Sequence, residues 1–338
     1  MDSNLVNLED RLANVHDQPL IEFKHVEKKF RQMVAVRDFN LQIQNGEFFV
    51  LVGPSGSGKT TTLKMVNRLY EPTAGNIKFL GKNVTAYPIN QLRWHMGYVL
   101  QKIALFPNLT VAENIALIPE MKGISKSEIT SYSRELLERV QLAPDIYLKR
   151  MPAELSGGEA QRVGIVRALA SKPPIMLMDE PFSALDPLSR TQLQDLILDL
   201  HHELKTTIIF VTHDMKEAMK LGDRIGVMHE GELLQTAKPV TLATDPVNDF
   251  VASFFKAKDV LTPLQYELND VIADNDHIEY TATLPEKSVK FTPHENLNRV
   301  IEWMTQHQIT VIYVFIKQTH NYAKVSTLDI LNFIVHQY

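Results

Sequence analysis

The sequence contains no cysteine, and none of its apolar runs approaches the roughly 18 uninterrupted residues of a membrane-spanning helix. Disulfide bonds, thiolate catalysis and cysteine-based metal sites are therefore excluded. Residues 1–18 are polar and acidic, which is not the pattern of a secretory signal peptide. If the protein acts at a membrane, we expect another chain to cross it.

Neither sign of charge is in large excess. The 338 residues are 44% apolar and 22% charged with a formal net charge of −5, as in ordinary soluble globular proteins. The acidic balance argues against non-specific binding of nucleic acid, so we expect no nucleic-acid partner. The length favours two domains.

One glycine-rich run carries recognisable chemistry. Residues 53–60 match the phosphate-loop pattern G-x-x-x-x-G-K-[ST], between an apolar strand pattern at 48–52 and a helical pattern. Glycines let the backbone approach phosphates closely, and successive N–H groups then bind the anion. Lys59 is expected to contact the β- and γ-phosphates, and the Thr60 hydroxyl to bind Mg²⁺. The nucleotide-binding residues predicted here are Gly53, Pro54, Ser55, Gly56, Ser57, Gly58, Lys59, Thr60 and Thr61.

The rest of the chain alternates strand and helix patterns. Apolar runs at 175–178 and 207–211 predict buried parallel strands, and an alternating pattern at 21–26 predicts an edge strand. This order implies an α/β layered fold. We divide the chain into an N-terminal extension (1–19), an α/β domain (20–250) and a small α+β domain (259–338) with the order β-α-β-β-α.

Six motifs in a fixed order, within about residues 20–245, resemble those of the ATPase subunits of ABC transporters. They are the phosphate loop, Gln101, the run Leu-Ser-Gly-Gly-Glu-Ala-Gln-Arg at 155–162, Asp179-Glu180, Ser-Ala-Leu-Asp at 183–186, and His213. The resemblance implies a P-loop ATPase domain with a mixed-sheet core, an antiparallel β subdomain and a helical subdomain. It also implies that ATP and Mg²⁺ are bound.

The resemblance assigns roles that suit the chemistry of each residue. Asp179 would hold Mg²⁺ together with Thr60, and Glu180 would polarise the attacking water as general base. His213 would sense the γ-phosphate, and Gln101 would reach Mg²⁺ or the water. Taken alone, Asp179-Glu180 fits a solvated turn equally well and His213 fits a structural role, so these roles depend on the whole set of motifs.

The segment at 156–159 is expected to form a second anion-binding element. Ser156 is a good N-cap for a helix from about Glu159 to Ala170, and Gly157 and Gly158 leave the N-terminal N–H groups open to an anion. By resemblance, these residues and Asp186 contact ATP bound to a second copy of the chain, so that ATP sites are shared across a dimer. Glu159 replaces the common Gln, and we expect its charge to point away from the phosphates.

The adenine ring needs a stacking partner. Phe30 matches the position where the family commonly has Tyr, and it keeps the aromatic face. A strand-end core aromatic is the alternative for Phe30. The sequence does not separate ATP from GTP.

Residues 67–75, Asn-Arg-Leu-Tyr-Glu-Pro-Thr-Ala-Gly, closely resemble a run in importers of glycine betaine, carnitine and choline. That resemblance implies membrane-spanning permease subunits, a substrate-binding protein or domain, and a peripheral position on the cytoplasmic face of the membrane. A permease helix is expected to dock on the apolar stretch formed by Ile103, Leu105, Phe106 and Pro107. Packing inside this chain is the alternative for each of these four residues.

The C-terminal domain resembles a CBS domain, since residues 325–329 resemble its ribose-binding turn between strand and helix. Only one repeat is apparent. Its role stays open between stabilising the dimer and sensing ionic strength, an adenine nucleotide or a cyclic dinucleotide.

Two rival functions have different sequence signatures. ABC ATPases that act on ribosomes or DNA usually contain two fused ATPase units or a coiled-coil insertion, and one unit without such an insertion is visible here. An importer of amino acids or polyamines would carry a β-barrel or ferredoxin-like C-terminal domain.

Overall fold

The computed structural model describes residues 18–101, 104–183, 185–256, 266–275, 278–284, 288–317 and 319–336. The chain divides into two compact units between Ala237 and Lys238. The predicted extension, 1–19, lies almost wholly outside the described residues. The predicted domain boundary at 250–259 falls later in the chain than this division.

Ten strands and eight helices account for most of the described part of the first unit. The strands are β1 Ile21–Phe30, β2 Met33–Ile43, β3 Phe48–Val52, β4 Ala74–Phe79, β5 Lys82–Asn83, β6 Met96–Val99, β7 Ile175–Asp179, β8 Thr207–Thr212, β9 Arg224–His229 and β10 Glu232–Ala237. The helices are α1 Lys59–Val66, α2 Ile89–Trp94, α3 Val111–Met121, α4 Lys126–Arg139, α5 Pro144–Tyr147, α6 Gly157–Leu169, α7 Pro187–Leu204 and α8 Met215–Leu221.

The central sheet has six strands in the order β10-β9-β3-β8-β7-β6, and all pairs are parallel except β9 with β10. Every residue of β3, β7 and β8 is buried. This burial explains their uninterrupted apolar sequences, since helices cover both faces of such a sheet. Because parallel strands share one carboxyl edge, the residues that follow β3, β7 and β8 are brought together there.

The second sheet of this unit is antiparallel, in the order β2-β1-β4-β5. The prediction of β1 as an edge strand was wrong, because β1 pairs with both β2 and β4. The alternating burial of β1 shows that one face of the sheet is covered. An interior strand of such a half-exposed antiparallel sheet alternates in the same way as an edge strand, so the pattern does not distinguish the two.

The second unit begins with α9 Pro239–Thr244 and α10 Asp249–Lys256, and α9 packs against the last helix. This packing explains why the division lies at residue 237. The elements that follow are α11 Leu268–Ala273, β11 Glu279–Thr281, β12 Lys290–Phe291, α12 Leu297–His307, β13 Val311–Ile316, β14 Asn321–Ser326 and α13 Thr327–His336.

The four strands of the second unit form one sheet in the order β11-β14-β13-β12. The predicted order β-α-β-β-α is present from β12 to α13, whereas α11 and β11 were not predicted. A separate apolar core includes Leu268, Leu297, Ile312 and Val325. No helix within the described ranges combines the length and apolar character needed to cross a bilayer.

Candidate nucleotide-binding site

The phosphate loop connects β3 to α1. Gly58 has φ of 104°, and a Cβ there would lie 2.4 Å from the carbonyl oxygen of Ala35. A Cβ on Gly53 would lie 2.1 Å from the carbonyl oxygen of Met228. The fold therefore requires glycine at both positions. The Ser57 hydroxyl, within this loop, is buried and has no hydrogen-bond partner among the described residues, so a bound phosphate would fit its unused hydrogen-bonding capacity.

Lys59 is the first residue of α1 and is almost wholly buried, with 4% of its surface exposed. Its Nζ donates to the carbonyl oxygens of Gly53 at 2.7 Å and Pro54 at 2.9 Å. Burial lowers the pKa of Lys59, and the nearby carboxylates of Glu180 and Asp179 oppose this shift. The ammonium group is thus held within the loop, where it can neutralise phosphate charge.

Thr60 and Asp179 meet at the carboxyl edge of the central sheet. Asp179 ends β7, is 5% exposed, and accepts a hydrogen bond from Thr60 Oγ1 at 2.7 Å. Burial raises the pKa of Asp179, while the hydrogen bond from Thr60 opposes the rise. A hydroxyl and a carboxylate oxygen at this separation are the donor types that Mg²⁺ prefers, so the two residues fit the expected ion.

Glu180 has a left-handed backbone with φ of 43°, which is uncommon outside glycine. Its N–H donates to the carbonyl oxygen of Val211 in β8 at 3.0 Å. Its Oε2 accepts from Gln101 Nε2 at 3.3 Å and lies 3.2 Å from His213 Nδ1. The structure therefore places Gln101 and His213, which belong to two other motifs, around the Glu180 carboxylate. The backbone that carries this carboxylate has a conformation that is costly for a residue other than glycine.

Phe30 ends β1 and is partly exposed. Its ring packs edge-on against Tyr70 with a centroid separation of 5.1 Å, and Lys28 Nζ lies 4.8 Å from its centre. The partial exposure argues against the alternative of a core aromatic and leaves ring surface for stacking.

The signature turn, which we define as Ser156–Glu159, lies at the start of α6. Ser156 is the N-cap as predicted, although the helix begins at Gly157 rather than near Glu159. The side chains of Ser156 and Glu159 form a capping box, in which Ser156 N donates to Glu159 Oε2 at 2.7 Å. The pKa of Glu159 is lowered, mainly by a hydrogen bond from Tyr147. The Glu159 charge is thus engaged within the chain, and Gly157 is exposed.

Asp186 is the N-cap of α7 and accepts a hydrogen bond from Ser189 N at 3.0 Å. Its carboxylate is exposed, and hydrogen bonds from the side chain and then the backbone of Ser189 lower its pKa. Ala184, in the same predicted motif, lies outside the described residues.

Two groups of predicted residues therefore emerge. The first set is Lys59, Thr60, Asp179, Glu180, Gln101 and His213. Thr60 bonds to Asp179, Gln101 and His213 lie at Glu180, and the charges of Asp179 and Glu180 act on Lys59. No hydrogen bond or ion pair joins this set to the described residues of the signature turn or to Asp186.

A buried carboxylate, Glu217, lies four residues after His213 and was not predicted from the sequence. Glu217 is 6% exposed and accepts a hydrogen bond from Thr212 Oγ1 at 2.6 Å. Burial raises its pKa to about 7. Arg190 of α7 lies 4.0 Å from Glu217 and 3.7 Å from Asp214. The sequence shows a charged residue, Glu217, in the first turn of the helix after His213. Its burial, however, can be seen only in the folded structure.

A family model described as ABC transporter matches residues 36–183. Together with the relatives that follow, this match shows that the chain belongs to the family of ABC transporter ATP-binding proteins. The chain is 48% identical over 229 residues to the osmoprotectant import ATP-binding protein OsmV of Salmonella typhimurium, covering 68% of this chain and 60% of that protein. It is 47% identical to the glycine betaine uptake system ATP-binding protein YehX of Escherichia coli, covering 70% of this chain and 76% of that protein.

A third relative matches over a larger share of the chain. The choline transport ATP-binding protein OpuBA of Bacillus subtilis is 41% identical over 280 residues, which are 83% of this chain and 71% of that protein. The match thus spans about three fifths to three quarters of these relatives.

Solved structures agree with the fold. The dimeric structure of MJ0796, a bacterial ABC transporter cassette, superposes with a TM-score of 0.59 at 34% identity, covering 65% of this chain and 98% of that one. A dimeric post-hydrolysis state of MJ0796 with ADP and Pi gives a TM-score of 0.59 at 33% identity, with the same coverage.

Proposed function

We propose that this chain is the ATP-hydrolysing subunit of an importer of quaternary amine solutes such as glycine betaine, carnitine or choline. The single observation that carries the ATPase proposal is the gathering of Gln101 and His213 around Glu180, next to the contact of Thr60 with Asp179. The substrate class is supported by the relatives, which are named for osmoprotectant, glycine betaine and choline transport.

The chemistry follows from where each side chain lies. Glu180 Oε2 is positioned by two neighbours, so its carboxylate can accept a proton from a water that attacks the γ-phosphate. Lys59 stabilises charge on the phosphates, and the N–H groups of the phosphate loop bind their oxygens. Thr60 and Asp179 would hold Mg²⁺, which neutralises charge that develops on the transferred phosphoryl group.

The signature turn belongs to a second half of the site. It makes no polar contact with the phosphate-loop group within the described part of the chain, and the superposed MJ0796 structures are dimers. We infer that the exposed turn of one copy closes on ATP bound at the phosphate loop of the other. ATP binding would then favour the dimer, and hydrolysis would release it.

A membrane partner would find a docking surface close to the nucleotide site. A groove of about 380 Å³ is lined by apolar side chains that include Leu69, Leu100, Phe106 and Leu117. Phe106 is 52% and Leu69 46% exposed, which suits insertion of a partner helix. Of the predicted docking stretch, Phe106 lines this groove, Leu105 and Pro107 do not, and Ile103 lies outside the described residues. Docking on a permease would place the chain at the cytoplasmic face of the membrane.

The C-terminal unit is better suited to a structural role than to ribose binding. Asp329 accepts hydrogen bonds from Ser326 N at 2.7 Å and Ser326 Oγ at 2.6 Å, and from Asn275 Nδ2 at 2.9 Å. Because this carboxylate is already used within the unit, we favour dimer stabilisation over sensing of an adenine nucleotide or cyclic dinucleotide.

The test of the ATPase proposal is the substitution Glu180→Gln. Loss of the proton acceptor should lower ATP turnover by about a hundredfold or more and leave an ATP-bound dimer. Turnover is measured by phosphate release and the dimer by sedimentation. Glu138→Gln, an exposed carboxylate on α4, is the matched control. Undiminished turnover in Glu180→Gln would contradict the assignment.

The substrate proposal is tested separately, by uptake into vesicles that contain the chain with its permease and binding subunits. Labelled glycine betaine, carnitine and choline are compared with an amino acid and a polyamine. ATP-dependent uptake of a quaternary amine supports the proposal, and selective uptake of the amino acid or polyamine favours the rival importer.

A further inference from the structure

The signature turn is held by a capping box between Ser156 and Glu159. Glu159 Oε2 accepts from the backbone N–H of Ser156 at 2.7 Å, and Glu159 N–H donates to Ser156 Oγ at 3.3 Å. The conformation of the turn therefore depends on where the Glu159 carboxylate is placed. A residue that fixes this carboxylate also fixes the N–H groups at the start of α6.

Tyr147, the last residue of α5, holds the Glu159 carboxylate in place. Its hydroxyl donates a hydrogen bond to Glu159 Oε1, the oxygen that the Ser156 N–H does not use. Arg150 lies 3.9 Å from the same oxygen, and its guanidinium lies 4.4 Å from the centre of the Tyr147 ring. A phenol donating to a carboxylate makes a charge-assisted hydrogen bond, which is stronger than a neutral one.

The segment that carries Tyr147 is itself hydrogen-bonded to the start of α3. Val111 N donates to the carbonyl oxygen of Arg150 at 2.9 Å, and Ala112 N to that of Leu148 at 3.0 Å. One turn into α3, the fully buried Asn114 accepts from Phe106 N at 2.8 Å and donates to Phe106 O at 3.1 Å. Directly bonded groups thus connect the groove at Phe106 to the signature turn.

We propose that Tyr147 is a positioning residue for ATP hydrolysis, which acts through Glu159 to hold the signature turn in the geometry that meets the nucleotide of the second copy. This inference rests on the proposed function. The segment that follows Tyr147 is hydrogen-bonded to α3, and α3 is hydrogen-bonded to Phe106. A partner that moves Phe106 would therefore also move Tyr147 and, through it, the signature turn.

The variant Tyr147→Phe removes a single hydroxyl and keeps the ring beneath Arg150. We measure it in the full-length chain that also carries Glu180→Gln, so that the ATP-bound dimer persists. We expect the dimer dissociation constant in ATP to rise by up to about tenfold. That limit is reached if the whole free energy of this hydrogen bond, which lies within one copy, serves to hold the turn. Affinity for ADP, which needs only the phosphate loop of one copy, should stay unchanged. The melting temperature should fall by only a few degrees, because each chain loses one hydrogen bond.

Tyr132→Phe is the matched control, because it removes a hydroxyl from α4 of the same region, where the ring lies beneath Lys172 instead. It should leave dimerisation unchanged. A thermodynamic cycle with Glu159→Ala adds a second readout. If Tyr147 acts through Glu159, adding Tyr147→Phe to Glu159→Ala produces little further loss.

Three results would overturn the inference: tight dimerisation of Tyr147→Phe, an equal defect in Tyr132→Phe, or additive losses in the cycle. A fall in ADP affinity or melting temperature that accounts for the defect would also overturn it, by making the role merely structural. Failure of the Glu180→Gln chain itself to dimerise in ATP would instead refute the proposed function.

Discussion

The burial of Glu217 predicts how the free energy of unfolding of the first unit changes with pH. Burial raises its pKa from an ordinary value of 4.5 to about 7, with Asp214 adding to the rise. The hydrogen bond from Thr212 and the charges of Arg190 and His213 oppose it. The native state therefore binds more protons than the unfolded state between these pH values.

Stability must then fall as the pH rises through this window. The contribution of Glu217 is most favourable near pH 4 and is lost progressively between pH 4.5 and 7. A shift of 2.5 pKa units corresponds to about 3 kcal/mol in the free energy of unfolding. Glutamine does not titrate and can still accept the hydrogen bond from Thr212. We therefore expect Glu217→Gln to be close to wild type near pH 4 and more stable at pH 8, by up to about 3 kcal/mol.

The assay can be confined to the unit that contains Glu217. The chain has two tryptophans, of which Trp94 lies in the first unit and Trp303 in the second. In a Trp303→Phe background, Trp94 fluorescence during urea unfolding reports on the first unit alone. The free energy of unfolding is compared between chains with and without the Glu217→Gln substitution at intervals from pH 4 to 8. A difference that does not change with pH, or a variant that is less stable at pH 8, would refute the reasoning.

Two further predictions concern the adenine site and the domain boundary. Phe30→Ala should weaken ATP binding about fivefold to tenfold by removing the stacking surface, whereas Phe30→Tyr should bind normally, as measured with a fluorescent ATP analogue. A chain ending at Ala237 should remain soluble and bind ATP, because the division between units falls there. A chain ending at residue 258 should aggregate, since it keeps α9, with its fully buried Leu242, and loses the α13 helix on which α9 packs. Equal solubility of the two truncated chains would contradict this boundary.

The parts of the site that the sequence predicted are those in which neighbouring residues act together. The phosphate loop needs glycine, lysine and threonine at fixed spacing, and its flanking strand and helix are visible as apolar runs. Asp179 and Glu180 could be placed because a buried parallel strand ends at Asp179, and the carboxyl ends of parallel strands meet at one edge of the sheet. Local pattern and global topology agree at these positions, so short-range reasoning was sufficient.

The parts that were missed depend on contacts between distant segments. The interior position of β1 is decided by its pairing with β4, about fifty residues further along the chain. The division between the compact units lies before α9, earlier than the predicted boundary at 250–259, because α9 contacts α13 far along the chain. Glu217 was overlooked because its pKa reflects burial, and burial is a property of the assembled fold.

The two glycine-containing motifs differ in what requires their glycines, and this difference bears on how the site is completed. At Gly53 and Gly58 the requirement is internal, because a Cβ would lie within 2.1 and 2.4 Å of backbone oxygens of this chain. Among the described residues, a Cβ at Gly157 would meet no atom within 4 Å, and at Gly158 the nearest atom would be Ser189 Oγ at 4.0 Å. Packing against the described part of this chain therefore does not require glycine in the signature turn. A ligand that approaches the N–H groups closely would require glycine at these positions. In the proposed dimer that ligand is ATP held by the phosphate loop of the other copy.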